Sequence, residues 1–155
     1  MRKDFVSAAL IIGGLVFSAL AVKAQNPIIQ TIYTADPAPL VYNDTLLLYV
    51  GRDEAEAPKN HYLMREYRLF STTDMVNWTD RGAALRTSEV SWSVGDASAA
   101  QVIARNGKFY WYISTMNSTP GKGGVSIGVL VADNPAGPFT DPLGRALVTN
   151  DMTTQ

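Results

Sequence analysis

The sequence predicts an all-β chain made of two similar sheet units, and three observations point to it. Pro37, Pro39, Pro58, Pro120, Pro135, Pro138 and Pro142 are scattered along it, so a helix longer than about a dozen residues finds little room. Short apolar runs follow turn residues: 46–50 comes just after Asn43-Asp44, and 109–113 just after Asn106-Gly107. Such dipeptides accept positive φ and mark tight hairpins. Finally, two blocks recur in the same order. Residues 40–49 align with 103–112 at an offset of 63, and Trp78-Thr79-Asp80 aligns with Phe139-Thr140-Asp141 at an offset of 61.

Each element follows from this repeat. Residues 40–50 read as strand, turn and aromatic-ended strand, and 67–71 as a third strand. Trp78-Thr79-Asp80 closes the first unit. The second unit repeats the plan through 103–113. Its third strand is 125–131, where Val125, Ile127 and Val129 alternate with Ser126 and Gly128 as one sheet face requires. Four short strands in about 60 residues is the size of one β-propeller blade with its loops. Chance likeness between two ordinary hairpins is the competing explanation, and the matching order of two blocks favours the repeat. Two blades cannot close a propeller, which takes about four or more. The expectation is therefore the front part of a longer propeller, with a smaller complete fold as runner-up.

Composition narrows the function. The chain has 155 residues, 46% hydrophobic and 17% charged, with a net charge of −1, which suits a globular protein. The charge balance offers no basic face for phosphates and argues against a nucleic-acid binder. The absence of cysteine excludes a disulfide scaffold, an iron–sulfur cluster, a thiolate zinc site and a lipid-bearing cysteine anchor. The single histidine, His61, leaves no Ser-His or multi-His constellation within the chain. No metal ligand set is predicted in it.

The first 24 residues read as a secretory signal peptide. Arg2 and Lys3 precede an apolar stretch over 5–22, and Val22-Lys23-Ala24 puts short residues before a cleavage point at Gln25. A membrane anchor of about 18 residues is the competing reading. Removing Arg2, Lys3, Asp4 and Lys23 takes the net charge from −1 to −3. The expectation is a secreted or periplasmic protein, off the membrane after cleavage, with residues 25–155 in the propeller domain.

One carboxylate stands out as chemistry. Asp36 lies between Ala35 and Pro37, followed by Ala38 and Pro39, directly before the first repeat block. The prolines fix local φ angles and the alanines leave space. A rigid, uncluttered carboxylate at the start of an innermost strand would point into a propeller's central funnel, as a general base holding a water must. A turn aspartate before proline is the plainer alternative.

Several segments carry a family resemblance. Asn26-Pro27-Ile28-Ile29, Tyr33-Thr34-Ala35-Asp36-Pro37-Ala38-Pro39 and Phe70-Ser71-Thr72-Thr73-Asp74-Met75-Val76-Asn77-Trp78 resemble the opening of glycoside hydrolase family 43. So do Asn106-Gly107-Lys108-Phe109-Tyr110 and Val131-Ala132-Asp133-Asn134-Pro135-Ala136-Gly137-Pro138-Phe139. The likeness covers residues 25–155 and is strongest to bacterial β-xylosidases and α-L-arabinofuranosidases. It implies that the chain is the first two blades of a five-bladed propeller. It also implies an inverting glycosidase with Asp36 as general base, acting on xylo- or arabino-oligosaccharides. The general acid and a second aspartate, which tunes and orients it, would lie on later blades. A structural calcium, where one exists, would be held by those blades too. Asp151 lacks the Asp-Pro context of the second aspartate and reads as a linker residue.

The chain departs from the family in one place. Many relatives carry a tryptophan wall where Ser98 stands here, and its loss would weaken sugar stacking by on the order of 1 kcal/mol. Trp92 is a candidate substitute. Gln101 reads either as a partner for a sugar hydroxyl or as a polar strand residue. Asp53 reads either as facing the funnel or as part of the acidic loop Asp53-Glu54-Ala55-Glu56. His61 reads as a surface residue, Tyr110-Trp111-Tyr112 as a blade strand, and Gly121-Lys122-Gly123-Gly124 as a hairpin turn. Two other functions remain open: a catalytically inactive carbohydrate-binding propeller, in which Ser98 marks a decayed site, and a small all-β interaction module.

Overall fold

A computed structural model of the chain describes residues 27–121 and 123–153. The expected signal segment lies outside the described residues. Strands β1 (Thr34–Tyr42), β2 (Thr45–Arg52), β3 (Glu66–Thr72) and β4 (Thr79–Arg86) form one antiparallel sheet in chain order. Strands β5 (Ser93–Arg105), β6 (Lys108–Asn117) and β7 (Val125–Ala132) form a second. Single turns of 3-10 helix cover Thr87–Glu89 and Asn150–Met152. The chain is all-β, and each sheet is one propeller blade.

Local chemistry makes the hairpins. Asn43 and Asp44 turn β1 into β2 at φ of 47° and 57°. Asn106 and Gly107 turn β5 into β6 at 52° and 73°. Two consecutive positive φ angles match the twist of the flanking strands, which is why the repeat preserves these residue types. The second loop motif is also turn chemistry. The Asp74 carboxylate accepts from the backbone N–H of Val76 at 2.9 Å and of Asn77 at 2.8 Å, and from the Asn77 side chain at 2.8 Å. These bonds, the Asn77 side chain's foremost, hold its carboxyl far below the usual range. In the second blade Asn134 does similar work, accepting from the Ala136 N–H at 2.8 Å.

The second blade departs from the expected four-stranded plan. Thr140 bridges Val131 where a fourth strand would begin, and Val148 bridges Ile127 further along. Between them the chain leaves the sheet. The Asp141 carboxylate accepts from the backbone N–H of Leu143 at 2.9 Å and of Gly144 at 3.0 Å, and Pro142 has no N–H to give a ladder. The fourth strand is thus reduced to two bridges.

The blades pack face to face over one core. Leu47, Tyr49, Tyr67, Leu69 and Leu85 from the first meet Val102, Phe109, Trp111, Ile113 and Leu130 from the second. Trp111 is fully buried, with ring centroids of Phe139, Tyr49 and Tyr67 at 4.9, 5.1 and 5.2 Å. Polar ties cross the same interface. The Tyr67 hydroxyl donates to the Ser98 carbonyl at 2.7 Å and the Ser114 carbonyl at 3.2 Å. The Tyr49 hydroxyl donates to the Pro135 carbonyl. The Ala97 N–H donates to the Met64 carbonyl at 2.8 Å. Leu48, Val50 and Phe70 form a smaller cluster with Ile29, Ile32 and Trp78.

Two backbone features support single-residue predictions. Gly128 lies under Trp92, where an added Cβ would stand 2.4 Å from the ring atom Cζ2. Gly128→Ala is expected to destabilise the fold by about 1–3 kcal/mol, read as a lowered Tm. Asp36 has a φ of 51° within an irregularity of β1 between Ala35 and Ala38. Asn tolerates this left-handed region and Ala does not. Asp36→Asn should therefore keep wild-type stability in denaturant titrations, and Asp36→Ala should lie about 1 kcal/mol below it.

Candidate active site

The start of β1, the loop after β2 and β5 converge on one cleft. It has a volume of about 280 Å³ and is lined by Ala35, Asp36, Asp53, Tyr62, Met64 and Ser98. Three of the four residues picked out by sequence, Asp36, Asp53 and Ser98, are therefore brought together. Asp36 is exposed, and its carboxylate accepts no hydrogen bond among the described residues. The bulge in β1 explains its direction. One extra residue between Ala35, opposite Gly51, and Ala38, opposite Tyr49, breaks the alternation of the strand. The break turns Asp36 out while Ala38 returns to the core.

Asp53 follows the last residue of β2, and its N–H donates to the Tyr33 carbonyl at 3.2 Å. It is half-buried in the cleft wall, so it separates from the rest of the acidic loop. Glu54 turns instead to Arg65, which donates through Nε at 3.1 Å and Nη2 at 2.5 Å. This fork holds the Glu54 carboxyl below its usual range. The Glu54 N–H also donates to the Leu63 carbonyl at 2.9 Å. Together these bonds close the loop between β2 and β3 at its base. Close by, the nearly buried Glu66 pairs with Arg68 at 3.1 Å, Arg86 at 3.3 Å and Arg52 at 3.7 Å, which ties β2, β3 and β4 together beside the cleft.

The floor is set by packing. Met64 is buried and occupies the space over Gly51, where a Cβ would come within 2.1 Å of its Sδ. Ser98 is turned toward its strand partner, with its Oγ 2.9 Å from the Ser114 Oγ. Below it lies Tyr67. Burial raises its phenol pKa, and the nearby Asp36 charge adds to the rise. The phenol thus stays protonated as a donor beneath the cleft.

The remaining candidates fall elsewhere. Gln101 lines a separate hollow with Tyr112 and Ile127, and its Nε2 donates to the Val102 carbonyl at 3.2 Å. Trp92 is buried against Gly128, with its Nε1 donating to the Asp141 carboxylate at 2.9 Å. It is a core residue and does not replace a wall at Ser98. Asp151 lies in the turn after Thr149, whose hydroxyl donates to it at 2.5 Å. His61 is exposed. Tyr62 and Met64 were not picked out by sequence. An aromatic in the otherwise polar loop Pro58-Lys59-Asn60-His61-Tyr62 was the available signal. Among the described residues, no three His, Asp or Glu side chains stand together to hold a metal ion. No described helix is long and apolar enough to cross a membrane.

Comparison with known proteins gives this cleft its context. An arabinoxylan arabinofuranohydrolase of Bacillus subtilis is 34% identical over 146 residues, covering 81% of this chain and 27% of the relative. A xylosidase/arabinosidase of Humicola insolens is 34% identical over 125 residues, 75% of this chain and 37% of the relative. The chain thus spans between about a fifth and two fifths of the length of the curated relatives it matches. Among solved structures, a Xanthomonas citri enzyme complexed with xylose superposes with a TM-score of 0.70 at 28% identity, over 89% of this chain and 39% of that one. A β-xylosidase/α-arabinofuranosidase from a compost metagenome, solved with xylotriose in a calcium-free form, gives 0.67 at 30% identity over 79% and 39%. The family model for glycosyl hydrolases family 43 matches residues 24–153, and the chain belongs to that family.

Proposed function

We propose that the protein is an inverting glycoside hydrolase acting on xylose- and arabinose-containing plant polysaccharides or their oligosaccharides. Asp36 is its general base. The observation that carries this reading is the exposed Asp36 carboxylate, held by a strained backbone in a cleft beside Asp53 and Ser98. A base that activates water needs a free oxygen aimed at solvent and a fixed direction. The bulge and Pro37 give Asp36 that direction, and with no hydrogen-bond partner among the described residues both its oxygens are left for water. Asp53 and Ser98 are proposed as substrate-binding residues, with Asp53 accepting from sugar hydroxyls at the cleft wall, while Gln101, in its separate hollow, takes no part in this cleft.

In this reading Asp36 takes a proton from water as the water attacks the anomeric carbon on the face opposite the leaving group. The leaving oxygen receives its proton from a carboxylic acid about 6.5–9.5 Å away, the spacing that leaves room for the water. That acid and the aspartate that orients it belong to later blades, outside this chain. A structural calcium, where the full-length enzyme holds one, also belongs with those blades, and no step here depends on it. Residues 1–24 serve as the signal for a secreted or periplasmic enzyme, with residues 25–155 forming part of the propeller. N-terminal sequencing of exported protein should find Gln25 first, and an intact Met1 would overturn this.

A second reading is favoured by Ser98, which leaves the cleft without a large side chain at that position: a propeller that binds carbohydrate without turning it over. Activity separates the two. Full-length enzyme should hydrolyse an aryl xyloside or arabinoside, while Asp36→Asn lowers kcat by about two to four orders of magnitude with little change in sugar affinity. The 155-residue chain alone should show no useful turnover, because it supplies a base without an acid. Robust turnover by the chain alone, or an unimpaired Asp36→Asn enzyme, would overturn the assignment. Sugar binding without any turnover by the full-length protein would establish the second reading.

A further inference from the structure

We infer that Tyr62 is the stacking wall of the sugar site, a specificity-determining residue carried on the loop between β2 and β3. The inference rests on the proposed glycosidase reading. Of the six residues lining the cleft, Tyr62 is the one with an aromatic ring. It is 47% exposed, and among the described residues its hydroxyl has no hydrogen-bond partner. A tyrosine with a free hydroxyl and an open ring is not explained by the core. The apolar C–H face of a pentose is its chemical complement, and the hydroxyl can pair with a sugar hydroxyl at the ring's edge.

The ring is held in place for this task. His61 packs edge-on against it with centroids 5.6 Å apart. On the other side, the Leu63 carbonyl is tied to the Glu54 N–H, and the Glu54–Arg65 fork closes the loop beneath. Ordering the loop before binding lowers the entropy cost of stacking. Ser98 leaves room for this ring. Its short side chain is drawn to Ser114, so β5 brings no bulk to the cleft and the aromatic contact there falls to Tyr62.

The test uses the full-length protein and two readouts, xylose and arabinose affinity by calorimetry and kcat and KM on the aryl glycosides. Tyr62→Ala should weaken sugar binding and raise KM roughly 3- to 10-fold with kcat nearly unchanged, since stacking acts alike on ground and transition states. Tyr62→Phe should retain most of the affinity. Adding Ser98→Trp to Tyr62→Ala should recover part of the loss, by supplying a ring to the same cleft from the other side. Unchanged affinity in a folded Tyr62→Ala protein would overturn this inference while leaving the Asp36 assignment standing. Unimpaired Asp36→Asn turnover, or no sugar binding by the wild type, would overturn the glycosidase reading and this inference with it.

Discussion

The structure depends on one packing event, the burial of Trp111 between the two blades. Its indole meets rings from both sides: Tyr49 and Tyr67 from the first blade, and Phe139 from the segment after β7. Burying a side chain that covers about 150–250 Å² stabilises the fold by on the order of 4–6 kcal/mol. The burial has a cost, because the indole Nε1 has no hydrogen-bond partner among the described residues, and an unmet donor costs about 1–3 kcal/mol. Packing wins, and the geometry of the cleft follows from it. Tyr67 lies against Trp111 with its ring and reaches the carbonyls of Ser98 and Ser114 with its hydroxyl. The side of the cleft given by β5 is therefore set by the same residue that sets the core.

Much of the fold was legible in the sequence because its signals are local. The Asn-Asp and Asn-Gly turns fix hairpin geometry at positive φ, and each strand expected at 46–50, 67–71, 109–113 and 125–131 lies within an observed one. The fourth strand of the second blade was not legible from the repeat. Phe139-Thr140-Asp141 copies Trp78-Thr79-Asp80, but the copy stops at Pro142, and the Asp141 carboxylate caps a turn instead of leaving a strand to continue. The repeat described where the strand begins and was silent on where it stops.

The site was legible in part, and the division is physical. Asp36 announces itself through its neighbours in sequence, which act over one or two bonds. Whether Asp53 joins it depends on how Glu54 and Arg65 pair across the loop, a contact between residues 11 apart. The placement of Trp92 depends on Gly128 and Asp141, which are distant in sequence. Tyr62 has no local motif at all; its place in the cleft comes from loop closure. The segments behind the family likeness divide the same way. Those around Asp74 and Asn134 build turns, and only the one around Asp36 reaches the cleft.

That division bears on how the site came to hold a strained aspartate. A left-handed, non-glycine residue before proline is unfavourable, and it persists where the surroundings over-determine it. Here they do so from both sides. Ala38 is anchored in the core opposite Tyr49, and Ala35 is paired with Gly51, so the extra residue between them has nowhere to go but outward. Tyr49 is in turn fixed by Trp111, Phe139 and the Pro135 carbonyl. The inter-blade core thus supports the strain at Asp36 through a single strand pairing. Loosening that core should release the bulge before it unfolds the sheet, and with it the fixed direction that a base aligning water requires.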